Sequence, residues 1–265
     1  MTTFRTLASG SSGNAALLSC GEIHLLIDMG ISCRRICRSL GELGLTPESL
    51  SGILITHEHG DHISGLATYI KKYRTPIFCA PAVSQQLAYR LAGVEPLLRP
   101  VEMGQAASFG PVEAEILPTS HDCRESAAWH FTTPEGRVGY LTDTGVILEE
   151  AGERLLGAEL LVLESNHDVE MLRSGPYPYA LKQRILGDWG HLSNAAAAQY
   201  AVKSAQAGTR TILLAHLSDE NNTPRRALET VEAALAEAGV AVCLAAAPKD
   251  VMSEMYLLEG VKCVG

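Results

Sequence analysis

Short apolar runs alternate along this chain with stretches of helical period, and turn residues separate the two. Residues 4–20 read as strand, tight loop, strand, and HLLIDMG (24–30) as a buried strand that ends at Asp28 and Gly30. A helix is expected from Ser32 to Leu43. SGILIT (51–56) is a further buried strand, and residues 64–74 have the pattern of an amphipathic helix with Ser64 at its N-cap. Residues 75–80 read as a strand, and 81–93 as a helix opened by Pro81 and closed by Gly93. From 96 to 133 the chain is a series of strands punctuated by Gly and Pro. Strands follow at 138–145 and 160–168, then mixed helix and loop to Asp188, and an Ala-rich helix within 190–208 that Ser193 caps. A strand at 211–222, a helix at 223–239 and strands at 240–247 and 254–260 close the chain.

No Pro/Gly/Ser-rich linker and no change in composition interrupts this order, so residues 1–265 are expected to form one domain, long enough for a substantial core. No short-period repeat is visible. A hydrophobic content of 46% with 19% charged residues describes an ordinary globular chain, and no apolar run approaches membrane-spanning length. Met1 to Ser12 lacks the apolar core of a signal peptide, and the seven cysteines have no disulfide-like spacing, so a cytoplasmic protein with free thiols is expected. The net charge of −9 gives no bulk attraction for nucleic acid; such a partner needs a local basic patch or bound cations.

The densest chemistry lies in THEHGDH (56–62), between a strand's C-terminal end and a helix. It offers His57, His59, Asp61 and His62. His57 and His59 are two residues apart, so on an extended segment they face one side and can chelate one ion. Asp61 and His62 follow Gly60, where the chain can turn, and can face a second ion. Imidazole suits zinc, iron and manganese, and carboxylate suits harder ions. Other candidates recur at strand ends. His121 follows the strand of residues 112–120 and can complete the first ligand set, and Asp143 is placed for the carboxylate that bridges a two-ion site. Glu164, Asn166 and His167 stand at the mouth of the strand in LLVLESNHD, His191 precedes a helix, and His216 ends a strand. The small-residue loop SGSSGN, with Ser11 and Asn14, reads first as a hairpin loop, although its backbone amides suit an anion. Arg34, Arg35 and Arg38 on one helix are a solvated face or, alternatively, a contact for a phosphate backbone.

HEHGDH resembles the HxHxDH signature of the metallo-β-lactamase fold superfamily of binuclear hydrolases. His59 stands where the redox, diiron members carry glutamate. Together LASGSSGNA, LIDMG, HEHGDH, LTDTG, ESNHD, GHLSN and AHLSDENN resemble the WalJ (YycJ) family of that superfamily, over residues 7–222. The resemblance implies an α+β fold, a four-layer αββα sandwich. It implies two divalent metal ions, zinc or manganese with iron as a further option. One is held by His57, His59 and His121, the other by Asp61, His62 and His216, and Asp143 bridges them. Asp61 also orients the attacking oxygen.

Glu164 and His191 resemble the glutamate–histidine pair of the transfer-RNA 3′-processing endonucleases, in which the histidine meets the scissile phosphate and protonates the leaving oxygen. The resemblance places Asn14, Asp28 and His167 behind the ligands or beside the substrate. The implied activity is that of a metal-dependent phosphodiesterase, a 5′→3′ exonuclease on DNA. Two other expectations share the fold: a thioester or lactone hydrolase of the glyoxalase II type, for which the Glu164–His191 acid has no use, and a regulatory protein without catalysis, which the full ligand set argues against.

Overall fold

A computed structural model describes residues 1–258 together with Cys263 and Val264. The first half opens with an antiparallel meander, β1 (Thr2–Ala8), β2 (Ala15–Cys20) and β3 (Ile23–Ile27). It continues through α1 (Cys33–Glu42), β4 (Gly52–Leu54), the short helical turns α2 (Gly60–Ile63) and α3 (Leu66–Tyr69), β5 (Ile77–Cys79), α4 (Pro81–Arg90) and β6 (Leu98–Pro100). Strands β3 to β6 lie parallel.

The second half repeats the plan. β7 (Ala106–Phe109), β8 (Val112–Pro118), β9 (Ala127–Thr133) and β10 (Gly136–Leu141) are antiparallel. Then come α5 (Glu149–Leu155), β11 (Leu160–Glu164), α6 (Val169–Ser174), α7 (Tyr179–Leu186), α8 (Asn194–Gln206), β12 (Thr211–Ala215), α9 (Pro224–Glu237) and β13 (Cys243–Ala246), with β10 to β13 parallel. β14 (Met255–Leu257) returns to pair with β1, and β15 (Cys263–Val264) pairs with β14. The pairing sequence from β1 to β6, two antiparallel steps and then three parallel ones, recurs from β8 to β13. The repeat is topological, so no sequence period reports it.

Two mixed sheets result, of eight and seven strands. The strand period of two explains how they stack. In β11 and β12, Leu160, Val162, Leu213 and Ala215 join Phe4, Leu18 and Leu26 of the other sheet in one buried core. The intervening Leu161, Leu163, Ile212 and Leu214 pack outward against Ala197 and Ala201 of α8 and Val231 and Leu235 of α9. Strands covered on both faces need apolar residues at every position, hence the runs LLVL and TILLA. On the other side Ile36 and Leu40 of α1 and Val83 and Leu87 of α4 cover the first sheet. The four-layer αββα sandwich is therefore observed.

Local expectations differ at two places. Of the helix expected over residues 64–74 only the short turn α3 forms, and Ser64 is not its N-cap: Ser64 ends α2, which precedes it, and its Oγ donates to the Gly30 carbonyl at 2.6 Å. Tertiary packing overrides the helical pattern, because Gly65 donates to the Met29 carbonyl at 2.9 Å and sits so close to the Ile31 carbonyl that a Cβ would lie 2.3 Å from it. Helix α5 was hidden in a stretch with no clear period. Among the described residues, no helix is long and apolar enough to cross a membrane.

Candidate metal centre

Strand ends build the site. Asp28 follows β3, the His57–His62 segment follows β4, His121 follows β8, Asp143 follows β10, Glu164 ends β11 and His216 follows β12. Three of these residues, Asp28, Asp143 and His216, hold positive φ of 58°, 54° and 54°. Left-handed backbone costs a residue with a side chain about 1–3 kcal/mol and persists where the surroundings over-determine it. Each of the three turns the chain so that its side chain points into the site.

Four overlapping groups of ligand atoms each lie within 4.8 Å of one another: His57 with His59 and His121; Asp61 with His62 and His216; His57 with His62 and Asp143; and Asp143 with Glu164, His191 and His216. His62 Nε2 is 3.4 Å from Asp61 Oδ2 and 3.3 Å from Asp143 Oδ2, and His216 Nε2 is 3.4 Å from Asp61 Oδ2. His121 Nε2 is 3.2 Å from His59 Nδ1 and 3.9 Å from Asp143 Oδ1. Two ligands about 2.1 Å from one tetrahedral ion are roughly 3.4 Å apart, so these separations suit shared cations.

The outer nitrogens are held by the protein. His62 Nδ1 donates to Asp28 Oδ2 at 2.8 Å, His216 Nδ1 to Glu164 Oε1 at 2.9 Å, and His121 Nδ1 to the Gly190 carbonyl at 3.1 Å. Each bond leaves Nε2 facing inward, where it can exchange its proton for a metal ion, the arrangement metal-binding imidazoles use. Two buried atoms, His57 Nε2 and Asp143 Oδ2, have no hydrogen-bond partner among the described residues. An acceptor is buried without a partner only at a cost, which a cation removes.

The electrostatics agree. Burial works against charge on His62, but Asp143 and Asp28 outweigh it and hold the imidazole well above its usual range. His216 is likewise opposed by burial and raised by Asp143, Asp61 and Glu164, to about 10. Burial pushes Asp61 up, yet its bonds to His216 and His62 hold it well below the usual carboxylate range. The cluster wants positive charge, which protons or metal ions can supply.

A test follows from the sign. In chelator-treated protein the His216 imidazolium supports the fold fully below its unfolded value of 6.5, and that support disappears as pH rises through about 10. A metal ion needs the neutral ring, so it competes with the proton below that range. The gain in Tm on adding zinc or manganese is expected to be larger at about pH 8.5 than at about pH 6. Equal gains at both would mean that these imidazoles do not exchange protons for metal.

Behind the ligands, Asp28 is fully buried. Its Oδ1 accepts from the Thr56 amide at 2.9 Å, and Thr56 Oγ1 donates to the same carboxylate. The SGSSGN loop forms the expected hairpin, but it also braces the centre. Asn14 donates its amide to the Asp61 carbonyl at 2.8 Å, Ser9 Oγ accepts from the His216 amide at 2.9 Å, and Gly10 N is spent on Asn14 Oδ1 rather than on an anion. Gly30 lets the two loops meet, since a Cβ there would lie 1.6 Å from the Asp61 carbonyl oxygen.

Glu164 is fully buried and shared. Its Oε1 accepts from His191 Nδ1 at 2.8 Å as well as from His216, and its Oε2 accepts from the amides of Thr144 at 2.9 Å and Leu192 at 3.2 Å. Burial opposes its charge, but His191 and His216 hold it below the usual carboxylate range. His191 lines a cleft of about 160 Å³ with His121, Ser11, Asn166, Tyr177 and Arg184.

The remaining sequence candidates stand outside this constellation. His167 is buried with both ring nitrogens unpartnered among the described residues, and burial pushes it down to about 4, so the ring is neutral. Arg35 meets Asp250 at 3.7 Å and Arg38 meets Glu42 at 3.0 Å, both near the surface, while Arg34 is exposed. Two residues at the centre were passed over in the sequence. Asp122 places Oδ1 3.3 Å from His121 Nε2 and gives Oδ2 to Arg184; its only sequence signal is adjacency to His121. Thr56 links Asp28 to the histidine loop, and only its place at the head of THEHGDH hints at this.

Comparison with known proteins agrees with the geometry. Residues 24–217 match the beta-lactamase superfamily domain. The exodeoxyribonuclease WalJ of Streptococcus pneumoniae serotype 2 (strain D39 / NCTC 7466) is 38% identical over 242 residues, covering 90% of each chain. The exodeoxyribonuclease YycJ of Bacillus anthracis is 36% identical over 240 residues, 90% of this chain and 91% of that one. Among solved structures, the metallo-beta-lactamase fold protein YhfI from Bacillus subtilis superposes with a TM-score of 0.71 at 18% identity, covering 96% of this chain and 99% of that one. Human tRNase Z, short form, superposes with a TM-score of 0.63 at 17% identity, covering 95% and 98%. Fold, ligand geometry and sequence converge: the chain belongs to the metallo-β-lactamase fold superfamily, and within it to the family of the WalJ and YycJ exodeoxyribonucleases.

Proposed function

We propose that this hydrolase cleaves phosphodiester bonds of DNA, removing nucleotides in the 5′→3′ direction, with two zinc or manganese ions bound. The observation that carries the reading is the His191–Glu164 pair beside the ligand cluster. An acyl substrate such as a thioester expels a leaving group that needs no strong acid, whereas a nucleotide alkoxide must be protonated.

His57, His59 and His121 would hold one ion and Asp61, His62 and His216 the other, with Asp143 between them. Bound there, two divalent ions acidify water and offset charge on the attacked phosphate. The protein's own residues do the rest. Asp61, one-quarter exposed, presents a carboxylate that can orient the attacking water. Asp28, Glu164 and the Gly190 carbonyl fix three imidazoles so that little reorganisation accompanies the reaction. Glu164 holds His191 by Nδ1, which leaves Nε2 to carry the proton to the leaving oxygen as its bond to phosphorus breaks. Water's hydroxyl ends on phosphorus and the proton on the departing sugar oxygen.

The two relatives named as exodeoxyribonucleases support DNA as the substrate. The test is to reconstitute the protein with zinc or manganese, count the ions per chain, and offer 5′- and 3′-end-labelled DNA, the same RNA, a nitrophenyl phosphodiester and a thioester. Two ions and release of label from the 5′ end of DNA are expected. Turnover of the thioester alone, or protein that takes up no ion, would overturn the proposal.

A further inference from the structure

One face of α7 is turned to His191. Leu181, Arg184 and Ile185, spaced i, i+3 and i+4, line the cleft that holds this imidazole, and Tyr177 lines it just ahead of the helix. Tyr177, Leu181 and Ile185 are each half-buried, so their apolar surface faces an opening rather than a core. The wall they form is fixed to the proposed acid. The His191 amide donates to the Ile185 carbonyl at 3.1 Å, and Gly190 packs so closely that a Cβ there would lie 2.2 Å from the same oxygen.

Polar residues behind the metal centre complete the lining. Asn166 is 4% exposed. Its Nδ2 donates to the His216 carbonyl at 2.9 Å, which fixes how the amide is turned and leaves Oδ1 with no partner among the described residues. A buried acceptor without a donor is costly unless something arriving in the cleft supplies one. Ser218 stands beside it, its amide donating to the Asn166 carbonyl at 2.8 Å. The one charged side chain of the lining besides the histidines, Arg184, is already given to Asp122 Oδ2 through Nε and Nη2. At about 160 Å³ the cleft is smaller than the roughly 300–1,000 Å³ of ordinary ligand pockets. It suits one neutral group with an apolar face and an N–H donor. It suits neither a phosphate, which needs a free cation, nor a length of strand.

We propose that this cleft is the subsite for the nucleoside that departs, a role that rests on reading the site as a phosphodiesterase. In 5′→3′ removal, water's oxygen bonds to phosphorus, the bond from phosphorus to the 3′ oxygen of the terminal nucleotide breaks, and His191 protonates that oxygen. The phosphate stays on the shortened strand. The departing nucleoside therefore lies on the side of the acid, where the cleft opens. Its base meets Tyr177, Leu181 and Ile185, and a base N–H meets Asn166 Oδ1. Every base offers a flat apolar face and an N–H, so the subsite is indifferent to sequence. Room for one such group suits removal from an end.

The substrate and the protein can each be varied. The metal-loaded protein would be offered DNA whose 5′-terminal residue is either normal or a tetrahydrofuran abasic analogue, with a nitrophenyl phosphodiester alongside. The abasic residue is expected to be removed with a kcat/KM about tenfold lower, the worth of one base contact. Leu181→Trp and, separately, Ile185→Trp fill the cleft. Each should erase the difference between the two ends and lower kcat/KM for normal DNA about tenfold more than for the nitrophenyl diester. Titration calorimetry with 2′-deoxyadenosine reads the subsite without cleavage: wild-type protein should bind it and Leu181→Trp should not, while inorganic phosphate binds both alike. Equal removal of normal and abasic ends, equal losses on DNA and on the nitrophenyl diester, or no binding of deoxyadenosine by the wild type would overturn the subsite. If the holoenzyme cuts no phosphodiester while Leu181→Trp loses deoxyadenosine, the subsite stands and the catalytic reading falls. If it removes both ends alike and the tryptophan variants bind deoxyadenosine as the wild type does, the reverse holds.

Discussion

His191→Ala is expected to leave both metal ions in place and still slow cleavage of DNA by about 10²–10⁴-fold, the usual worth of a general acid. The geometry separates the two properties. His191 meets Glu164 through Nδ1, while Glu164 keeps His216 and the amides of Thr144 and Leu192 when the imidazole is gone. The support behind the second ion therefore survives. The loss should shrink for a nitrophenyl phosphodiester, whose leaving group departs without a proton. The measurement is a pair of kcat values with metal content determined on the same samples. Distance alone would also admit His191 as a ligand, because its Nδ1 lies 3.7 Å from Asp143 Oδ1. Loss of an ion in His191→Ala would make it one and would require a new role for His216. Equal, wild-type rates on both substrates would remove the acid altogether and favour an acyl substrate.

Glu164→Gln is expected to do more damage than His191→Ala, although it changes one oxygen to an amide. Every acceptor site on this carboxylate is used. Oε1 faces two imidazole N–H groups, and Oε2 faces two backbone N–H groups. Whichever way the glutamine turns, its NH₂ points at two donors. One outcome is a lost bond to Thr144 and Leu192; the other is a rotated or re-tautomerised His216 and His191. Removing the outer partner of a metal-binding imidazole typically costs 10–100-fold in metal affinity, and the misplacement of His191 adds to it. Titration with a metal-sensitive dye should show the second ion weakened and the first retained. Activity should fall further than in His191→Ala and recover only in part at saturating metal. Wild-type metal affinity combined with a milder kinetic defect would mean that Glu164 serves His191 alone.

How much of this was legible depended on the kind of information each residue carries. Asp28 and Asp143 share a written form, LID-M-G and LTD-T-G, yet their different tasks follow from what stands opposite. Asp28 meets Thr56 and His62 from behind, whereas Asp143 points between the two ligand groups. The arginines of α1 show the same limit, since nothing in the sequence indicates that Arg35 finds Asp250, 215 residues away. Likewise the helix over residues 64–74 had the right period but lost to the close packing of Gly65 on the neighbouring loop.

By itself the sequence determined the layers and named the candidate ligands. Strands sealed on both faces must be apolar at every position, amphipathic helices must show their stripe, and a metal loop must spell out its histidines, because these are properties of neighbours along the chain. Only the tertiary structure decided which imidazole nitrogen faces inward, that one Glu164 oxygen serves both His216 and His191, that Asp122 and Arg184 stand at the rim, and that no residue of α7 is fully buried. Those depend on hydrogen bonds and contacts between residues tens to hundreds of positions apart. Their geometry is set by the left-handed turns at Asp28, Asp143 and His216, which packing imposes and local preference opposes.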